Sequence, residues 1–253
     1  MARSFNGSNQ YLARLSTPPG AAGYPFTLAC WFKTATTATQ CLMGLGDDYD
    51  PHDHYHMLYT AGAGGTLKFQ TVDSAMVGQA ETAATVSSGV WSHACGVLGW
   101  SNWRAVYLNG GSQDIDTTSV DPVVNDYFGI AALVSRAGPT VQFYFNGQIA
   151  EAAVWDVALS AAEVAMLAAG YPPPFVRPQS LKSYYPLIRS SADVFGNINY
   201  AVTEYNSPTV TDGPPMLYYV TPQFGQVITA VPSGTIFASS VLNSAIFSGA
   251  IVR

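Results

Sequence analysis

Short apolar runs cut apart by Gly, Pro and Asn recur along most of this sequence, and they constrain the fold more than any other feature. Phe26–Lys33 is rich in aromatic and β-branched residues and follows Gly23-Tyr24-Pro25. Cys41–Leu45 and Tyr55–Thr60 come next, and Thr66–Val72 follows the Gly62–Gly65 turn. Trp91–Trp100 reads as one arm of a hairpin that turns through Ser101-Asn102 into Trp103–Asn109, with Asn109-Gly110-Gly111 as a second turn. Strands also fit Tyr127–Ser135, Val141–Phe145 and Gln148–Trp155. Runs this short, with turn residues between them, predict an all-β antiparallel sandwich or jelly roll. A chain of 253 residues lies within the reach of one large β domain, or one domain and an arm.

One helix interrupts the series. Ser160-Ala-Ala-Glu163 is a capping box, in which hydroxyl and carboxylate satisfy each other's orphan backbone N–H groups. Leu159 and Val164 occupy the two positions of a hydrophobic staple, and Leu167 adds a further turn of apolar face. Gly170 and Pro172–Pro174 stop it. The expectation is a short helix on the rim of the β domain.

Charge narrows the function. Charged residues make up 10% of the chain, where about 25% is usual. With 10 Lys and Arg and a net charge of −6, little is available to neutralise phosphates, so nucleic acid is excluded as a partner. An aromatic content of 13% excludes disorder. From Gly213 to Val252 no Asp, Glu, Lys, Arg or His occurs. An uncharged β segment left open would pair at its edges with other chains. Either it completes its own sandwich, or it packs on neighbouring subunits of a symmetric homo-oligomer. Candidate assembly residues are Tyr218, Tyr219, Phe224, Ile228, Phe237, Ile246 and Phe247, with Tyr184 and Tyr185 near the start of the tail. No apolar run is long enough for a transmembrane helix, so membrane insertion is not expected. The opening residues lack the apolar core of a signal peptide, which predicts synthesis in a cytoplasm. Cys30, Cys41 and Cys95 lie in apolar runs and read as buried thiols.

Several stretches together resemble the laminin-G-like, concanavalin A-like jelly-roll family. Ser4-Phe-Asn-Gly-Ser-Asn-Gln-Tyr-Leu12 is similar to its first strand and turn, and Phe26–Phe32 to its Trp-containing strand. Trp91-Ser-His93 resembles the opening of its central hairpin, and Val106-Tyr-Leu-Asn-Gly110 the following Tyr-x-Asp-Gly, with Asn in place of Asp. Phe145–Trp155 followed by Ala158-Leu-Ser-Ala-Ala-Glu163 resembles its closing signature. The resemblance covers roughly residues 3–190 and implies a noncatalytic binding module for glycans or proteins, in some members dependent on calcium. Residues 190–215 resemble a tail found after this domain in some bacterial and phage proteins.

Three kinds of chemistry bear on the function. Sandwich glycanases set two carboxylates on one face, often as Glu-x-Asp-x-x-Glu. The only glutamates are Glu81, Glu151, Glu163 and Glu204. None sits in such a triplet, and Glu151 and Asp156 fall on opposite faces of a straight strand. Asp47, Asp48, Asp50, His52, Asp53, His54 and His56 crowd ten positions. In an extended chain the three histidines share a face, the carboxylates suit calcium, and the imidazoles suit a softer divalent ion. The other reading of this stretch is a polar loop that keeps one end of the sandwich wet. Its histidines would make it sensitive near pH 6. Trp100 and Trp103 bracket the Ser101-Asn102 turn, where rings can stack on a sugar or anchor a partner. Trp100, Asn102 and Trp103 are therefore candidate glycan or partner contacts, unless one ring folds back over the core. Trp31, Trp91 and Trp155 belong to the core.

These readings converge on a noncatalytic surface protein of a tailed-phage virion, either a capsid decoration protein or a tail adhesin. A jelly roll over residues 1–190 would carry host-glycan or protein contacts, and a β-rich tail over 191–253 would bind other virion proteins and further copies of itself. A free-standing glycan-binding lectin is the rival reading, and a glycoside hydrolase the third.

Overall fold

The computed structural model describes residues 1–19, 23–36, 38–48, 54–61, 65–120, 125–135, 140–188 and 200–217. Its strands, in chain order, are β1 (Ala2–Asn6), β2 (Tyr11–Arg14), β3 (Phe26–Lys33), β4 (Gln40–Gly46), β5 (His54–Ala61), β6 (Thr66–Asp73), β7 (Met76–Thr85), β8 (Ser92–Trp100) and β9 (Trp103–Leu108). They continue with β10 (Gly111–Asp116), β11 (Tyr127–Ile130), β12 (Leu133–Ser135), β13 (Thr140–Gln142), β14 (Asn146–Trp155), β15 (Leu181–Tyr185), β16 (Thr203–Tyr205) and β17 (Thr209–Thr211), with one helix, α1 (Ala161–Ala168). Among the described residues they form two antiparallel sheets and a small hairpin. One sheet runs β10-β9-β8-β3-β14-β1-β17, with β15 paired to β14, and the other runs β16-β2-β11-β4-β5-β6-β7. The expected all-β sandwich is the fold.

Alternation builds the core. On β3 the even residues Phe26, Leu28, Cys30 and Phe32 face inward, where they meet Leu42, Leu58, Phe69 and Phe128 of the opposing layer and Phe145 from the segment before β14. Burying side chains of this size contributes about 1.5–3 kcal/mol each. The odd residues of β3 face out of the sandwich, yet they too are covered. Ala29, together with Cys95, Val97 and Trp155, packs under α1 through Val164 and Leu167. The helix thus lies across the outer face of the eight-stranded sheet rather than on the rim. Its capping box is present as expected: Glu163 N–H donates to Ser160 Oγ, and Ser160 N–H donates to Glu163 Oε2 at 2.8 Å. Cys30, Cys41 and Cys95 are buried and free.

The sandwich extends past the expected boundary at residue 190. Strand β16 pairs with β2, and β17 pairs with β1, so residues 203–211 add a strand to each sheet and close the open side. Arg3, buried on β1, fastens the crossing: Nη2 lies 2.7 Å from Glu204 Oε1, and Nη1 donates to the Pro208 carbonyl at 2.9 Å. The compact unit accordingly spans Met1–Tyr218, with Tyr219–Arg253 as a second unit. Tyr184 and Tyr185, expected at an interface, are buried instead. Tyr185 sits in the central core and donates to the Tyr200 carbonyl at 2.7 Å. The assembly candidates Tyr218, Tyr219, Phe224, Ile228, Phe237, Ile246 and Phe247 lie outside the described residues.

Candidate functional site

The Ser101-Asn102 hairpin separates its two tryptophans. Trp103 folds back, with its ring against Gly99 where a Cβ would come within 2.7 Å, and packs on the outer apolar cluster. Trp100 stays 64% exposed, touched edge-on by Tyr24 at 6.3 Å, and Asn102 is exposed beside it. The tip therefore offers one ring and one amide, not a pair of rings. Trp31 and Trp155 are buried as expected, and Trp91 is partly buried against the cluster formed by Ala2, Trp31 and Ala150.

The Asp/His stretch does not present three histidines to solvent. His56 is turned into the core, with Nδ1 3.1 Å from Thr71 Oγ1 and its ring edge-on to Phe26 at 4.9 Å. Burial first, and then Arg104, push its pKa down to about 3, so it is a neutral core residue and cannot sense pH 6. The pattern gave the shared face of His54 and His56 but not which face it was. Asp47 is buried, and His54 Nδ1 lies 3.8 Å from Asp47 Oδ2 and 3.4 Å from Asp73 Oδ1. Asp48 N–H donates to Asp126 Oδ2 at 3.3 Å. Among the described residues no three His, Cys, Asp or Glu side chains group to hold a metal ion. Asp50, His52 and Asp53 lie outside the described residues.

The surface that sequence reasoning missed is the outer face of the seven-stranded sheet. Its centre is roofed by the β12–β13 hairpin, which lies close because Gly44, Gly46 and Gly129 have no side chains. A Cβ would come within 2.8 Å of Leu133 at Gly44, 2.3 Å of the Val134 carbonyl at Gly46, and 2.3 Å of the Ala132 carbonyl at Gly129. The roof divides the face in two. On one side the outward residues Tyr55 and Tyr59 of β5 meet Lys68 and Gln70 of β6 and Gln79 and Glu81 of β7, set in register by the Gln70–Gln79 and Lys68–Glu81 pairs. On the other side stand Tyr11, Tyr144 and Tyr205.

The first group is held together by its own hydrogen bonds. The Tyr59 hydroxyl lies 2.6 Å from Gln70 Oε1 and 2.7 Å from Gln79 Oε1, and Gln70 Nε2 donates to the Tyr55 hydroxyl at 3.0 Å. A phenol has one proton to give. Gln70 is committed between the two tyrosines, and its Oε1 is the nearer of the two amide oxygens that compete for the Tyr59 proton. Burial under the hairpin, with Tyr55 and Glu81 nearby, pushes the Tyr59 pKa up and keeps that proton in place. Lys68 Nζ lies 2.9 Å from Glu81 Oε2, and Thr66 Oγ1 donates to Glu81 Oε1 at 2.7 Å. Lys68 holds the Glu81 carboxyl below its usual range. The result is a row of phenols and amides, edged by the Lys68–Glu81 ion pair, that hold one another in place before any ligand arrives.

The carboxylates are occupied elsewhere. Glu163 caps α1 and accepts from Arg177 at 2.6 Å, and Glu204 is paired with Arg3. Glu151 stands at a bulge in β14, φ +53°, where the register with β3 slips by one residue. The strand is not straight there. Glu151 lines a small pocket with Trp31, His93, Tyr171 and Met216, and accepts a hydrogen bond from the Tyr184 hydroxyl.

A family model described as the concanavalin A-like lectin/glucanases superfamily, of the laminin-G type, matches residues 6–165. No curated protein matches the chain. Among solved structures, the heptameric SAP-like pentraxin of Limulus polyphemus is 20% identical with a TM-score of 0.54, over 66% of this chain and 81% of that one. The carbohydrate-binding module CBM40 of the Ruminococcus gnavus IT-sialidase, bound to α2,3-sialyllactose, is 19% identical with a TM-score of 0.54, over 66% of this chain and 98% of that one. Domain 4 of the Geobacillus stearothermophilus arabinanase AbnA, in complex with arabinotriose, is 22% identical with a TM-score of 0.50, over 66% and 76%. At these identities the likeness is one of fold. The family match spans well over half of the sequence, and the chain belongs to the concanavalin A-like lectin/glucanase superfamily.

Proposed function

We propose that this protein is a noncatalytic glycan-binding module whose primary contact is the Tyr55–Gln70–Gln79 row on the outer face of the seven-stranded sheet. The observation that carries the reading is the locked phenol–amide network. Sugar hydroxyls both donate and accept, as amides and phenols do. Groups already fixed by one another lose little freedom on binding, which is where affinity for small flexible ligands is usually forfeited. Two structural neighbours bound to carbohydrate, one to α2,3-sialyllactose and one to arabinotriose, agree with this reading. All four glutamates are engaged in packing, capping or ion pairs, which favours binding over hydrolysis. The setting we infer is a virion surface, with the uncharged stretch from Gly213 to Val252 sheltered by neighbouring subunits.

A glycan array read with the wild type, Gln70→Ala/Gln79→Ala and Trp100→Ala tests the contact. The row predicts that the wild type binds a subset of glycans, that the double variant loses the signal, and that Trp100→Ala keeps it. The opposite pattern moves the site to the hairpin tip, and no binding by the wild type removes the function.

A further inference from the structure

We propose that Tyr205, backed by Tyr11 and flanked by Tyr144, is a stacking platform for a neutral pyranose ring, completed by the segment that follows the family-matched region. The inference rests on the glycan-binding reading and names a second contact and a ligand class for it. Tyr205 of β16 stands directly opposite Tyr11 of β2. Their rings are stacked, 4.3 Å apart and 3° from parallel. Tyr144 closes on Tyr11 edge-on at 5.9 Å and 62°. One face of Tyr205 is therefore taken by Tyr11. Strand β16 is the edge of the sheet among the described residues, so the other face has no strand beyond it.

Three features mark this as a built surface. The first is rigidity. The cluster rests on Ala13, Tyr127 and Val134, which are buried, with Val141 packed beside them. The second is the number of bonds that fix a three-residue strand. Beside the ladder to β2, Glu204 is paired with the buried Arg3, Asn206 Nδ2 donates to the Asn9 carbonyl at 2.7 Å, and Gln10 Nε2 donates to the Asn206 carbonyl at 2.9 Å. A segment that merely ended the fold would not need Tyr205 placed so firmly. The third is neutrality. The groups acting on the Tyr11 hydroxyl, after burial, are the two other phenols.

A ring held upright, with no described strand beyond its outer face and with phenols and an amide around it, suits the C–H face of a pyranose whose rim hydroxyls reach Tyr144 and Asn206. Among the described residues no cation acts on the Tyr11 hydroxyl, which favours a neutral sugar over a carboxylate sugar. Tyr205 lies outside the matched residues 6–165 while Tyr11 and Tyr144 lie within them, so the segment after the matched region contributes the outermost ring of the platform.

The test measures titration calorimetry of the full chain against neutral and sialylated oligosaccharides, with Tyr205→Ala, Tyr205→Phe and Gln70→Ala/Gln79→Ala alongside. The platform predicts preference for neutral sugars, a loss of about tenfold or more in affinity for Tyr205→Ala, and a change of less than about threefold for Tyr205→Phe. Circular dichroism checks that each variant keeps the wild-type fold. Unchanged affinity in Tyr205→Ala, with loss in the glutamine double variant, overturns the platform and leaves the glycan-binding reading standing. Preference for sialylated sugars overturns the neutral class. Binding of no sugar by the wild type overturns both. Self-association that Tyr205→Ala abolishes assigns the surface to a second copy of the chain and overturns the sugar.

Discussion

Glu151 turns the folded state into a proton sink, and its replacement by Gln makes a quantitative prediction. Its residue is 6% exposed and its carboxyl is moved from 4.5 to about 7, because burial outweighs the Tyr184 hydrogen bond and the nearby amino group of Met1. A raised carboxyl pKa means that the folded chain holds a proton which the unfolded chain has lost. Stability from this group is complete below about pH 4.5, falls as pH rises toward about 7, and stays low above it. At about 1.36 kcal/mol per pH unit, the loss approaches 3 kcal/mol. Glu151→Gln keeps the shape and an acceptor for Tyr184 but carries no charge. In urea unfolding, variant and wild type should be nearly equal at about pH 4, and the variant should be more stable by about 3 kcal/mol at about pH 8. Other titrating groups cancel in the difference. A difference that is flat with pH, or a variant weaker at pH 8, refutes the argument.

His56 and His93 are both held near pKa 3 by burial, so their imidazole NMR signals should not move between pH 5 and 8. Lowered histidine pKa values act opposite to Glu151: the stability they support is present above about pH 6.5 and is lost as pH falls toward about 3. Gly46→Ala should cost about 1–3 kcal/mol in thermal or urea unfolding, because its Cβ meets a backbone carbonyl that cannot swing away, while Gly111→Ala, with nothing within 4 Å, should lie within about 0.5 kcal/mol of wild type. Equal stabilities would contradict the close approach of the β12–β13 hairpin. Removing residues 219–253 should convert an oligomer to monomers in sedimentation velocity if that stretch is sheltered by neighbours. An unchanged mass would end the assembly reading.

Local chemistry was legible in the sequence, and tertiary contacts were not. The helix could be read because a capping box, a staple and a proline stop are contacts within one turn. The Asn109-Gly110 turn could be read because both residues take positive φ, +54° and +73°. Strand β7 escaped because its inward residues are Gly78, Ala80 and Thr82, too small to show an apolar alternation, the space being filled by Phe69 and Arg104 from elsewhere. Tyr127–Ser135 reads in sequence as one strand, but Ala131 at φ +67° breaks it, and the second piece folds over the first. No residue at that break announces a turn. The outward row has a signal, the Tyr55-x-Met57-x-Tyr59 alternation, masked by the denser Asp/His stretch next to it. The tyrosine platform had none, since Tyr11 and Tyr205 meet only through pairing of distant strands.

The most direct test is to label the protein with 15N and map amide shift changes on adding the highest-scoring array glycan. Binding through the roofed sheet predicts that the perturbed amides cluster at residues 55–59, 68–70, 79–81 and around Tyr205. Perturbations confined to Trp100–Trp103, or none at saturating sugar, would contradict it.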